Sequence, residues 1–268
     1  MIPPALAERL LTARTTVFRC DRRTFAKQQR LPPTVVPTAR LLLIERGIAQ
    51  YHLDGHQLEI GPGDVLLVPA MARRWWQASG ASFTMTWNEF LVGDRTPLDL
   101  PGARLHLEPA EFAEVLSACR RIAVAHERGG QSGRLLQEAE LRALLARVLL
   151  SERTTVFSAS ETTAHSDGAV RAALAWLERH YGDVSPERGL ARRVGLSDGH
   201  FRTRFRASVG TNARSFVLDL RLHAARRLLA AGSMGIKQVA ATVGYRDPLL
   251  FSRLYRRRWG VPPSRDGG

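Results

Sequence analysis

Between about residues 15 and 92, short apolar stretches alternate with glycine and proline turns. The run Arg40–Arg46 (R-L-L-L-I-E-R) is followed by Gly47 and then Ile48–Leu53, which reads as β structure. Asp54-Gly55 is a two-residue hairpin turn, because both central positions favour positive φ. Gln57–Ile60 returns, Gly61-Pro62-Gly63-Asp64 turns again, and Val65–Val68 is a strand ended by Pro69. In Ser82–Val92 the alternation puts Phe83, Met85 and Trp87 on one face and Thr84, Thr86 and Asn88 on the other. Short strands at this spacing predict a small antiparallel barrel.

Helical periodicity takes over afterwards. Pro109–Glu127 opens on Glu108, Glu111 and Glu114, which suit the positive end of a helix. Gly129-Gly130 breaks it, and Gly133–Arg153 then carries Leu141, Leu145, Val148 and Leu149 on one stripe. Thr154–Asp167 is rich in Ser, Thr and Ala without period and reads as a linker. An amphipathic helix follows from Ala169 to about His180. The expected division is residues 1–153, a linker over 154–167, and residues 168–268.

The last hundred residues contain one helix-turn-helix pattern twice. The first copy reads Leu190-Ala191-x-x-Val194-Gly195-Leu196-Ser197, then Phe201, Phe205 and a closing Gly210. The second reads Val239-Ala240-x-x-Val243-Gly244-Tyr245-x-Asp247, then Phe251, Tyr255 and Gly260. The first helices are offset by 49 residues and the second helices by 50, so the second turn holds one extra residue. The turn glycines tolerate positive φ, Ala191 and Ala240 allow close crossing, and Ser197 and Asp247 are N-caps, with Pro248 behind its cap. Aromatics four apart bury one face of each second helix. The helix from about Asn212 to Ala230 is the strut between them, setting the second helices roughly 34 Å apart, one turn of DNA.

Charge sharpens this picture. Residues 168–268 carry 19 Lys and Arg against 7 Asp and Glu, or +12, whereas residues 1–167 carry 20 against 18, or +2. A duplicated groove-sized helix pair that concentrates positive charge points to double-stranded DNA. The hydrophobic fraction of 44% rules out a disordered chain. Cys20 and Cys119 lie far apart without a C-x-x-C, which argues against a zinc site or disulfide framework. Neither a signal peptide nor a membrane-length apolar run is present, so the expected compartment is the cytoplasm.

Base readout is expected on the face opposite the aromatics. That face holds Gly199, Arg202, Thr203 and Arg206 in the first copy, and Leu249, Ser252, Arg253 and Arg256 in the second, with Arg246 in the preceding turn. Arg202 and Arg253 are candidates for bidentate contact with guanine, and Thr203, Ser252 and Leu249 for hydroxyl or thymine-methyl contacts. Arg192, Arg193, Arg257 and Arg258 are assigned to phosphates, which position without reading sequence.

The segments G-L-A-R-R-V-G-L-S-D-G-H-F-R-T-R-F, R-L-H-A-A-R-R-L-L and V-A-A-T-V-G-Y-R-D-P-L-L-F-S-R-L-Y-R-R-R-W-G-V-P-P resemble the AraC/XylS-type regulators, from about Gly168 to Pro263. The resemblance implies a bacterial transcription activator, which would also meet RNA polymerase, with a second domain that senses a small molecule or dimerises. Where the family closes with an aromatic and an Arg, this chain has Ser264-Arg265-Asp266-Gly267-Gly268 without an aromatic, which puts the final anchoring contact in question.

The run Gly61–Pro69 resembles cupin-type barrels found in front of such domains, so the implied fold is a mainly-β cupin-like barrel with two helices, then an all-α double helix-turn-helix domain. Metal-binding cupins need an H-x-H pair, which is lacking here, and His52 and His56 point to opposite sheet faces. No metal, cofactor or catalytic residue is therefore expected. Arg40, Trp75, Trp76, Met85 and Trp87 are candidates for an effector pocket. Leu141, Leu145 and Leu149 either pack on the barrel or form a homodimer seam, and the seam is favoured because the family's post-barrel helices often dimerise. The competing readings are a DNA-modifying enzyme carrying the same DNA-binding module, and a constitutive architectural DNA binder.

Overall fold

In a computed structural model, described over residues 4–93, 97–157 and 167–266, the chain forms two compact units, Met1–His165 and Ser166–Gly268. The first opens with helix α1 (Pro4–Thr12) and strands β1 (Thr15–Ala26), β2 (Arg30–Val35), β3 (Ala39–Leu53), β4 (His56–Ile60), β5 (Asp64–Val68) and β6 (Arg73–Val92). It continues with β7 (Gly102–His106), α2 (Pro109–Arg128), α3 (Gly130–Leu150) and β8 (Thr155–Phe157). All the strands join one eight-stranded sheet in the order β1-β6-β3-β5-β7-β8, with β2 on β6 and β4 on β3. Every pairing is antiparallel.

The sheet is apolar on both faces, as a central strand covered twice must be. Leu41, Leu43, Val65, Leu67, Phe90 and Val92 pack under α1, α2 and α3. Leu42, Ile44, Leu66, Val68, Phe83 and Met85 form a separate inner cluster. Gly47 keeps that inner face continuous. Its φ is +76°, and a Cβ there would lie 2.0 Å from the Ser82 carbonyl oxygen, so only glycine lets β3 cross β6 so closely. The register shifts on both sides of this point. In consequence, Leu42 and Ile44 before it and Ala49, Tyr51 and Leu53 after it share one cluster despite their opposite parity.

At the β3–β4 turn, Asp54 and Gly55 have φ of 46° and 92°, as the hairpin requires. His52 pairs with Gln57 and Leu53 with His56. The His52 ring stacks on Trp75 at 3.4 Å, while His56 lies near Phe157 at 5.3 Å, so the two imidazoles face opposite sides.

Three expectations change. The α3 helix runs three residues earlier at each end than its periodicity suggested, because Gly129 and Gly130, both at positive φ, sit at its very start. Residues Thr155–Phe157 of the expected linker are β8, paired with β7; residues 158–166 lie outside the described residues. Leu141, Leu145 and Leu149 are 0%, 1% and 1% exposed within the core of their own unit, so they cannot form a dimer seam. Their stripe packs against the sheet instead.

The second unit is helical: α4 (Gly168–His180), α5 (Leu190–Arg193), α6 (Asp198–Val209), α7 (Ala213–Ala231), α8 (Ile236–Thr242), α9 (Pro248–Trp259) and α10 (Pro263–Asp266). Buried residues surround almost the whole of α7, as expected of a central strut. It packs with α8 and α9 through Leu222, Ala225, Leu229, Val239, Phe251 and Tyr255.

Candidate functional site

Two turns of the same construction lie in the helical unit. Gly195 and Gly244 adopt φ of 72° and 87°. Leu196 N donates to Ala191 O at 2.8 Å, and Tyr245 N donates to Ala240 O at the same distance. Ser197 caps α6, its Oγ accepting from His200 N at 3.4 Å, and Asp247 caps α9, accepting from Leu249 N at 2.8 Å. Gly210 and Gly260 end the two helices in the left-handed conformation. The apolar stripes are Phe201, Phe205 and Val209 in α6, and Phe251 and Tyr255 in α9.

The opposite faces are open. Gly199, Arg202, Thr203, Arg206, Arg246, Leu249, Arg253 and Arg256 are all exposed, Leu249 by 76%. Arg202, Arg206, Arg246, Arg253, Arg256 and Arg257 make no ion pair among the described residues. Their guanidinium charge is left to solvent or a polyanion. The offset of 50 pairs Arg202 with Ser252 and Thr203 with Arg253. By the 3.6-residue period, Thr203 and Arg253 lie most directly opposite the aromatics, whereas Arg202 and Ser252 flank them. Ser252 is half-buried and its Oγ donates to Pro248 O at 2.9 Å, so its proton is already used.

The phosphate candidates divide. Arg192 and Arg257 are exposed. Arg193 stacks 3.5 Å over the Trp176 ring, and Arg258 pairs with Asp219 at 3.3 Å. Sequence reasoning passed over His200 and Leu250, both exposed at matching positions of the two helices, although the same period would have found them. It also passed over Arg204, which makes two bonds at 2.5 and 2.8 Å to Asp167, the N-cap of α4, and so fastens α6 to that helix. The C-terminal anchor is an acid: Asp266 accepts from Tyr255 Oη at 2.6 Å and pairs with Arg226 at 2.8 Å. Lack of a terminal aromatic therefore does not leave the segment unanchored.

In the β unit, the inner face gathers Arg40, Trp76, Met85 and Trp87, while Trp75 points to the other face against His52. Trp75 is thus not part of this group, because adjacent strand residues alternate sides. Arg40 pairs with Glu89 at 3.1 Å, and Thr38 donates to the same carboxylate at 2.8 Å. Arg74, which the sequence reading passed over, is 2% exposed on this face. Burial, with help from Arg40, lowers its pKa to about 10. Burial also pushes the Cys20 and Cys119 thiols up to about 12. Among the described residues no group of three or more His, Cys, Asp and Glu is gathered as a metal site requires, and no helix is long and apolar enough to cross a membrane.

Two capped helix pairs with exposed basic faces define a helix-turn-helix DNA-binding protein. Residues 190–266 match the family described as a helix-turn-helix domain, and residues 17–145 that described as an AraC-like ligand binding domain. The chain belongs to the AraC-type transcription regulators. It is 22% identical over 241 residues to the Msm operon regulatory protein of Streptococcus mutans, covering 87% of this chain and 85% of that protein. It is 24% identical over 263 residues to the transcriptional activator RhaS of Salmonella schwarzengrund, covering 92% of each. ToxT of Vibrio cholerae aligns over 93% of this chain and 97% of its own, at 12% identity and a TM-score of 0.42.

Proposed function

We propose that this regulator inserts α6 and α9 into two successive major-groove segments of one duplex and reads base edges from both. The observation that carries this is the repeated geometry: matching turn bonds and a side-chain cap on each hold two helices whose outward faces are basic and unpaired. Arg253 and Arg202 are the guanine readers, with Thr203, Leu249 and Ser252 at neighbouring bases and Gly199 allowing close approach. Arg206, Arg246 and Arg256 complete the groove face, and Arg192, Arg193, Arg257 and Arg258 serve phosphates.

The β unit receives a small-molecule effector on its inner face, near Arg40, Trp76, Met85 and Trp87, and the output is activation, with RNA polymerase as a partner. The chain works in the bacterial cytoplasm and is not an enzyme. Alkyl transfer to a protein needs a reactive thiolate, and thiols near pKa 12 stay protonated at neutral pH. A homodimer would use the exposed Val124, Leu135, Leu136 and Leu150 of α2 and α3.

Selection of bound duplexes from a randomised pool tests the reading. Arg253→Ala is expected to cost about 1–3 kcal/mol at the selected site and to relax one base position, with Arg202→Ala relaxing a position in the other half. Equal losses on every sequence would assign these residues to phosphates and overturn the readout.

A further inference from the structure

The inner face of the β unit holds more hydrogen-bond donors than the protein satisfies. Arg74 Nη1, Arg40 Nε, Tyr51 Oη and Trp87 Nε1 are all buried without a hydrogen-bond partner among the described residues. They share one face. Tyr51 pairs across the strands with Trp76 and Leu53 with Arg74, while Arg40 pairs with Glu89 and Leu42 with Trp87. The parity change at Gly47 brings both halves of β3 and β6 to this side. Arg40, Tyr51 and Glu89 all lie within electrostatic reach of Arg74.

The imbalance is one of both charge and acceptors. The one carboxylate acting on Arg74 is Glu89, which Arg40 shares, and both its oxygens already accept, one from Thr38 and one from Arg40, while Asp54 acts on Tyr51. At the rim the excess repeats: Arg19 and Arg23 lie 6.0 and 5.9 Å from the Trp87 ring and share Asp21. An uncompensated buried guanidinium destabilises the fold it sits in, and buried donors left unmade cost more than exposed ones. Such a group persists where a partner from outside supplies the missing acceptors. The surrounding wall is apolar, made of Phe83, Met85, Trp76 and Leu42.

We propose that this face binds a small monocarboxylate with an apolar body, its carboxylate received by Arg74 and Arg40 and oriented by Tyr51 Oη and Trp87 Nε1. The inference deepens the effector reading above and rests on it. One negative charge balances the buried Arg74 and the half-buried Arg40 against Glu89. A phosphate dianion would overshoot, and a neutral sugar or amide, though able to accept a hydrogen bond, would leave the Arg74 charge uncompensated.

The test uses the full chain, Arg74→Met and Arg74→Lys. Melting temperature and tryptophan quenching are read with a series of aromatic and aliphatic monocarboxylates, each matched to its primary amide, and with inorganic phosphate. At least one acid is expected to raise the melting temperature and quench the wild type, its amide binding at least about tenfold more weakly. Arg74→Met is expected to lose the acid response while melting no lower than wild type without ligand, because it removes an unpaired buried charge. Arg74→Lys keeps the charge and is expected to keep part of the response.

Several outcomes overturn the proposal. It fails if no acid acts on the wild type, if amide and acid bind alike, if phosphate acts in place of carboxylates, or if unliganded Arg74→Met melts well below wild type. A response to amides alone would leave the effector reading standing without the anion. Conversely, an acid that binds through Arg74 yet changes neither operator affinity nor transcription would uphold the site and remove its role as a sensor.

Discussion

The two helix-turn-helix units are the same device set in different surroundings. Both turns close with the same 2.8 Å backbone bond, and both second helices start at a side-chain cap and end on a left-handed glycine. Around the first turn there is room: a Cβ on Gly195 would meet nothing within 4 Å. Around the second there is none, since a Cβ on Gly244 would lie 2.5 Å from the Gly182 carbonyl oxygen and 2.9 Å from the Arg221 guanidinium. That guanidinium is fixed by bonds of 2.7 Å to the Tyr181 and Asp183 carbonyls. Local rules of caps and turns thus repeat the scaffold, while tertiary packing decides how firmly each copy is seated.

The sharpest break of this symmetry is the glycine pair. Gly244→Ala combines positive φ with a clash against backbone, and is expected to destabilise the helical unit by about 3–5 kcal/mol. Gly195→Ala carries only the conformational penalty, about 1 kcal/mol. Urea unfolding of the full chain, followed by a probe in the helical unit, measures both. Equal losses would show that the turn conformation alone matters and that the packing difference has no energetic weight.

Periodicity and caps made most of the helical unit legible, because every element there is specified within its own sequence. The β unit was less so, for physical reasons that differ by residue. The Leu141, Leu145 and Leu149 stripe reports that a helix face is buried, but not whether the sheet or a second chain buries it. Trp75 and Trp76 are adjacent, and only their cross-strand partners, His52 and Tyr51, decide which of them faces inward. Arg74 is charged and so reads as surface, although it is among the largest fully buried side chains. The short β8 exists only through its pairing with β7, which no local pattern announces.

A smaller effect separates the second helices by a single oxygen. Phe205 and Tyr255 hold equivalent positions, but Tyr255 alone has a hydroxyl, which donates to Asp266 at 2.6 Å. Burial raises its pKa, with Asp266 adding to the effect, so it remains a donor at all ordinary pH. Tyr255→Phe is expected to cost about 1.5–3 kcal/mol, as for a hydrogen bond to a charged acceptor, and to loosen α10. Faster amide exchange in α10 with α6 unaffected would be the signature. A variant as stable as wild type would mean that the ion pair of Arg226 with Asp266 suffices to hold the C-terminal segment.

The smallest expected difference lies at the caps. Ser197→Ala and Asp247→Ala each leave N-terminal amides of a second helix without a side-chain acceptor, at about 1 kcal/mol apiece. Asp247 is expected to be the costlier of the two, for two reasons. Its bond to Leu249 N is 2.8 Å, against 3.4 Å from His200 N to Ser197 Oγ, and its charge also favours the positive helix end. Salt separates these contributions, because screening weakens the charge effect and leaves geometry untouched. If the gap between the two variants closes in high salt, the carboxylate charge is its source. If it persists, the shorter bond and Pro248 behind the cap make the second helix the better-started one. In that event the stronger seating of the second unit begins at its first residue.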